Sequence, residues 1–119
     1  MNYMKFVSDE HEKFYNNNRS ITQKGRDFEA LVYTLGITED CSIHFYRMYD
    51  DKERCIIPDV LFEGWQTGAS QRITRLAFTL FTGTIVEGDD PNRYCPTSLF
   101  YCLDEIHRQG ALLALAYFA

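Results

Sequence analysis

The segment "DFEALVYTLGITED", Asp27 to Asp40, constrains the architecture more than any other part of the chain. Phe28, Leu31, Val32 and Leu35 recur at the i, i+3, i+4 and i+7 positions of one helical stripe. Asp27 stands where an N-cap is expected, and Gly36 supplies a left-handed stop. Only Ile37 separates that glycine from the next cap, Thr38. A link so short makes the two helices packed neighbours that cross at a steep angle.

The same punctuation recurs along the chain. Ser8 precedes Asp9 and Glu10, an N-cap followed by acids that complement the helix dipole, and Asn16, Asn17 and Asn18 end that helix. The polar segment from Arg19 to Arg26 reads as a loop. From Thr38 the run "TEDCSIHFYRMYD" places Cys41, His44, Phe45, Met48 and Tyr49 on one helical face, and the charged turn "DDKER" follows. Pro58 opens a short helix to about Glu63, and a longer helix runs from about Ala69 to Thr82 with Gly83 as its stop. On that longer helix Ile73, Leu76, Ala77, Leu80 and Phe81 form the core face, with Gln71, Arg72, Arg75 and Thr79 opposite. Gly88, Asp89, Asp90 and Pro91 make an exposed turn cluster. After Pro96 a helix turns Leu99, Cys102, Leu103 and Ile106 inward and Asp104, Glu105 and Arg108 outward. Gly110 ends it, and the apolar "ALLALAYFA" is buried or meets a partner. The sum is an all-α fold, one domain spanning 1–119 with about five or six short helices.

With 45% apolar and 15% aromatic residues, 119 residues suffice for one core and not for two. The net charge is −5, with eleven acids against eight bases up to residue 60 and six against four beyond it. So acidic a chain repels phosphate on average, which argues against nucleic acid as the main partner and for a basic protein surface. No run approaches the roughly 18 to 20 apolar residues that cross a bilayer, and the first residues lack a signal-peptide core. The expected location is the cytoplasm, where Cys41, Cys55, Cys95 and Cys102 remain thiols or metal ligands.

Two readings of the cysteines stand side by side. Cys41 and His44 share a helical face at a spacing that suits two ligands of one zinc ion, with Cys55 and Cys102 as candidate partners and Cys95, His11 and His107 in reserve. No paired CxxC spacing supports a zinc ribbon, and the other reading packs Cys41 in the core with His44 at its edge. A Cys–His nucleophile is unmarked, because the first turn holding Cys41 is acidic and raises a thiol pKa. The chain carries no phosphate-binding glycine motif, and its carboxylates read as cap and turn residues, so no catalytic role is assigned. Arg72 and Arg75, in a stretch without acids from Glu63 to Glu87, could meet a phosphate backbone as a small DNA-binding regulator does, or pair with carboxylates of the same chain. Trp65, flanked by Gly64 and Gly68, reads as a core anchor at a turn.

His44, Met48-Tyr49-Asp50, Arg54-Cys55-Ile56, Trp65-Gln66-Thr67 and Thr74-Arg75-Leu76-Ala77-Phe78 together carry a resemblance. Across most of residues 8 to 103 the chain resembles a family of small uncharacterised proteins from phages, plasmids and other mobile elements of Firmicutes. The ending "ALLALAYFA" departs from that family's aromatic, charged last helix. The resemblance implies a non-catalytic counter-defence protein, specifically an anti-CRISPR protein that binds an RNA-guided type II Cas nuclease. Acidic residues would then meet basic channels that otherwise hold nucleic acid. The surfaces implied are Asp9, Glu10 and Glu12, then Asp50, Asp51 and Glu53, then Glu87, Asp89 and Asp90.

Overall fold

A computed structural model describes residues 4–19 and 25–119. The described elements are α1 (Asp9–Arg19), α2 (Arg26–Leu35), α3 (Glu39–Ile43), β1 (Tyr49–Asp50), β2 (Cys55–Ile56), α4 (Gly68–Thr82), α5 (Pro96–Phe100) and α6 (Glu105–Phe118). Single 3-10 turns at Phe45–Arg47, Pro58–Phe62 and Pro91–Tyr94 join them. The fold is helical, as the punctuation implies, with one hairpin of two-residue strands added. Of the loop expected from Arg19 to Arg26, residues 20–24 lie outside the described residues, while Arg19 and Arg26 themselves are helical.

α2 is the axis of the core. Leu31, Val32, Tyr33 and Leu35 are fully buried because α2 packs against α4, α1 and α6. Burying each such side chain stabilises the fold by about 1.5 to 3 kcal/mol. The stripe is right and its ends are corrected. Gly25, with φ 97°, is the N-cap, and Asp27 sits inside the first turn, where its Oδ1 accepts the Phe28 N–H at 2.9 Å. Gly36 is right-handed, with φ −75°. It is a glycine for a different reason: a Cβ there would lie 2.8 Å from Phe14 Cδ2 and 2.9 Å from His11 Cδ2. The missing side chain is what lets α1 close against the end of α2.

The helix expected from Thr38 to Asp50 is also corrected. Thr38 caps α3, its hydroxyl accepting from Cys41 N at 3.1 Å, but the helix stops at Ile43. After the 3-10 turn, β1 pairs antiparallel with β2, Tyr49 opposite Ile56 and Asp50 opposite Cys55. Met48 and Tyr49 are buried as the helical stripe required, but Met48 closes the 3-10 turn and Tyr49 lies on a strand. Asp50 Oδ1 accepts the N–H groups of Lys52 and Glu53 at 3.0 and 3.1 Å, which ties the charged turn.

α4 begins in a capping box. Thr67 Oγ1 accepts from Ser70 N at 3.1 Å and Ser70 Oγ accepts from Thr67 N at 2.7 Å. Gly83 ends α4 as expected, in the left-handed conformation with φ 82°. Its buried face includes Thr74 and Phe78 as well as Ile73, Leu76 and Ala77, whereas Leu80 and Phe81 are half-buried.

The last helical region is divided where the sequence reads as continuous. Tyr101 is extended and Cys102 adopts φ 56°, so α5 stops at Phe100 and Asp104 becomes the N-cap of α6, its Oδ1 accepting from His107 N at 2.8 Å. Cys102 and Ile106, expected inward, are therefore exposed, while Leu99 and Leu103 remain in the core. Gly110 lies inside α6 and does not end a helix. A Cβ there would meet three Ile37 side-chain atoms at 2.9 to 3.0 Å. The apolar end of α6 is mostly packed, with Tyr117 and Phe118 against Tyr33, but Leu112 is 54% exposed. No helix among the described residues is long and apolar enough to cross a membrane.

Candidate functional site

The structure does not bring the four zinc candidates together. Cys41 is fully buried, its Sγ 3.4 Å from Thr74 Oγ1 and 3.6 Å from the Ser70 carbonyl, and burial pushes its thiol up to about 11. His44 is the C-cap of α3, and its ring stacks on Trp65. Its Nδ1 donates to the Asp40 carbonyl at 2.8 Å, since a carbonyl can only accept. Cys55 and Cys102 are exposed, one on β2 and one at the bend before α6. Among the described residues no group of three or more His, Cys, Asp or Glu side chains is arranged to hold a metal ion.

His44 instead lies flat on Trp65, ring centroids 3.9 Å apart and planes within 3°. Trp65 Nε1 donates to Glu63 Oε1 at 2.8 Å, and Glu63 receives Arg47 Nε at 2.7 Å and Nη2 at 2.5 Å. The Arg47 fork and then the Trp65 N–H hold the Glu63 carboxyl down at about 2. Gln66 donates to the Val60 carbonyl at 3.2 Å and accepts from Ser70 Oγ at 2.5 Å. Trp65 is thus a half-buried clasp between α3 and the turn before α4, where the sequence suggests a core anchor. The Trp65–Glu63 contact spans two residues and was open to a local reading; the His44 and Arg47 contacts depend on where α3 ends.

The outer face of α4 separates into two environments. Arg75 turns inward: Nε donates to Asp89 Oδ2 at 2.8 Å, with side-chain exposures of 6% and 5%. Tyr94 Oη donates to the same oxygen at 2.5 Å, and Asp90 N to Asp89 Oδ1 at 2.9 Å. Burial pushes the Asp89 carboxyl up, but the hydrogen bonds from Arg75, Tyr94 and Asp90 N–H outweigh it and leave it below its ordinary value. Arg72 donates to the Ser98 and Gly68 carbonyls at 3.1 and 2.8 Å and lies over the Tyr101 ring. One arginine therefore pairs with an acid of this chain and the other with its backbone.

The acidic candidates differ in the same way. Asp9, Glu10 and Glu12 are exposed on the first turn of α1, and no described residue pairs with their carboxylates. Ser8 Oγ fixes that turn by accepting from His11 N at 3.1 Å, while His11 and Tyr15 bury the opposite face. Asp51, Glu53 and Glu87 are exposed. Asp50 ties the hairpin turn and Asp90 Oδ1 accepts from Asn92 N at 3.0 Å, so both have local work. Asp89 is withdrawn from the surface into its pair with Arg75.

Comparison with known proteins adds one finding: the model of a family of unknown function (DUF6075) matches residues 1–117. No curated protein and no solved structure matches the chain.

Proposed function

Since the chain belongs to that family of unknown function (DUF6075), its role has to be argued from its own residues, and we propose that it is a non-catalytic interaction protein that docks acidic surface on a basic protein. The observation that carries this reading is the first turn of α1. Asp9, Glu10 and Glu12 stand on a capped helix end whose other face is anchored by His11 and Tyr15. Carboxylates on a fixed helix end, with no partner among the described residues, steer association with a complementary basic surface, and the backbone beneath them loses little entropy on docking. The hairpin acids Asp51 and Glu53 offer a second contact of the same sign.

The specific partner we propose is an RNA-guided Cas nuclease of type II, met in the bacterial cytoplasm and inhibited by a protein carried on a phage or other mobile element of Firmicutes. Support for it is the sequence resemblance together with the net charge of −5, since the effector's nucleic-acid channels are lined with arginine and lysine. Action is stoichiometric. The test is inhibition of target cleavage by a purified effector at rising inhibitor ratios, with the Asp9→Asn/Glu10→Gln/Glu12→Gln variant beside the native protein. Complete inhibition near equal ratio and about tenfold weaker inhibition by the variant are expected. No inhibition, or undiminished inhibition by the variant, rejects the reading.

The DNA-binding alternative loses one of its two arginines to Asp89, which leaves Arg72 alone to meet a phosphate backbone. A low-salt mobility-shift assay with duplex DNA separates it from the protein-docking reading. Metal analysis of protein purified without a histidine tag tests a structural zinc.

A further inference from the structure

Between α4, the 3-10 turn Pro91–Tyr94 and α5 lies a half-open cleft of about 530 Å3. Its described lining includes Arg72, Arg75 and Arg93 and no carboxylate, in a chain whose net charge is −5. Arg72 and Arg75 are held in place before any ligand arrives. Arg72 spends Nε on the Ser98 carbonyl and Nη1 on the Gly68 carbonyl, and packs over Tyr101, which leaves Nη2 without a partner among the described residues. Gly68 makes this arrangement fit, because a Cβ there would lie 2.9 Å from Arg72 Nη1. Arg75, which spends Nε and Nη2 on Asp89, lines the cleft with its charge already compensated. Arg93 is 59% exposed and its one contact among the described residues, with Asp90, is as long as 3.8 Å, so its fork is nearly free, and the exposed Asn92 adds a side-chain amide to the lining.

We infer that this cleft binds a nucleoside 5′-phosphate. The guanidinium groups of Arg72 and Arg93, lining one cleft, match the oxygens of a phosphate monoester, and the fixed orientation of Arg72 reduces what is lost on binding. The volume is that of a small-molecule site and exceeds what inorganic phosphate needs. Tyr101, 64% exposed at the rim, offers its ring for a base to stack on. The inference is independent of the acidic surface on α1, which involves none of these residues.

The test is an amide-resolved NMR titration of the full chain at low salt with adenosine 5′-monophosphate, inorganic phosphate and adenosine. Two short single-stranded oligonucleotides, identical but for a 5′-phosphate or a 5′-hydroxyl, complete it. Saturable shifts confined to Gly68, Arg72, Arg93, Ser98 and Tyr101 are expected with the monophosphate, weaker ones with inorganic phosphate and none with adenosine. Arg93→Gln, at an exposed position that leaves the fold intact, and Arg72→Gln should each weaken binding about tenfold. Equal response to the free monophosphate and the 5′-phosphorylated oligonucleotide identifies the terminal phosphate as what is read; response to the free monophosphate alone identifies a free nucleotide. No saturable shift with any phosphorylated probe, equal binding of the 5′-hydroxyl oligonucleotide, or full binding by Arg93→Gln overturns the inference.

Discussion

Arg75 and Arg47 each present a guanidinium to a carboxylate, Asp89 and Glu63, at 2.8 and 2.5 Å, yet the two pairs do opposite kinds of work. The Arg75–Asp89 pair has side-chain exposures of 6% and 5%, fastens the loop after α4 to its parent helix and takes a third hydrogen bond from Tyr94. The Arg47–Glu63 pair has exposures of 47% and 25% and braces the Trp65 clasp. Water competes for the second pair and scarcely reaches the first. Distance alone ranks them wrongly: the shorter pair is the more exposed one, and its loss is expected to cost the fold less.

The largest effect follows from breaking the buried pair on one side. Asp89→Ala leaves the Arg75 cation desolvated and unpaired, and about 3 to 5 kcal/mol of stability is lost in urea unfolding. Replacing both partners by apolar residues, Arg75→Met with Asp89→Leu, restores most of that loss, because no buried charge remains. A double variant as unstable as Asp89→Ala would mean that the attraction itself, not the orphaned charge, sets the cost.

His11 extends the comparison to a buried group that is kept neutral. It is fully buried on α1, with Nε2 donating to the Tyr33 carbonyl at 2.7 Å and Nδ1 accepting the Val7 N–H at 3.2 Å. Protonation would remove that acceptor, and burial lowers its pKa from 6.5 to about 4. The unfolded chain therefore takes up a proton first as pH falls through 6.5, and the native state follows only near 4. The stability is intact above 6.5 and declines by roughly 3 kcal/mol between 6.5 and 4. Unfolding midpoints measured across that range show the decline in the native chain and a much flatter profile in His11→Gln.

The burial of His11 depends on how closely α1 meets Gly36, so that contact gives the next effect in size. Gly36→Ala is compatible with the backbone, at φ −75°, but its methyl would meet Phe14 and His11 ring atoms at 2.8 and 2.9 Å. Overpacking of this kind costs about 1 to 3 kcal/mol. A neutral or stabilising outcome in thermal unfolding would show that α1 yields easily, and that the seam is looser than the core beside it.

Gly36 also shows where sequence reasoning reaches its limit. A glycine that ends a helix by turning left-handed and one that admits a neighbouring helix look alike in one chain; Gly83 is the first kind, Gly36 and Gly110 the second. The caps at Ser8 and Thr38 were legible because an N-cap bonds within three residues. The hairpin was not, since Met48 and Tyr49 satisfy a helical stripe as well as a buried strand end. Asp104 reads equally as an outward helical residue or a cap, and only the positive φ at Cys102 decides. The candidate site follows the same rule. An internal acid partner for the arginine face was an open reading and holds for Arg75, but Asp89, fourteen residues on in an ordinary turn motif, gave no sign of being the one.

The smallest effect on stability, and the sharpest local signal, belongs to the exposed pair. Glu63→Gln keeps the shape of the side chain and removes its charge, and the unfolding midpoint should hardly move because solvent screens the pair. Trp65 is the only tryptophan, so its fluorescence reports this clasp alone. The emission should change in Glu63→Gln while far-ultraviolet circular dichroism does not. In the native chain the Glu63 carboxyl is held below its ordinary 4.5, at about 2, so it stays ionised through the range in which a free glutamate titrates. Whatever the pair adds is present above 4.5 and is lost only as pH falls towards 2. Emission followed during acidification should therefore pass 4.5 without a step for as long as the helical signal persists. A step near 4.5 with the helices intact would mean that Arg47 does not hold Glu63 in solution, and the contrast with Arg75–Asp89 would then be one between a formed pair and an absent one.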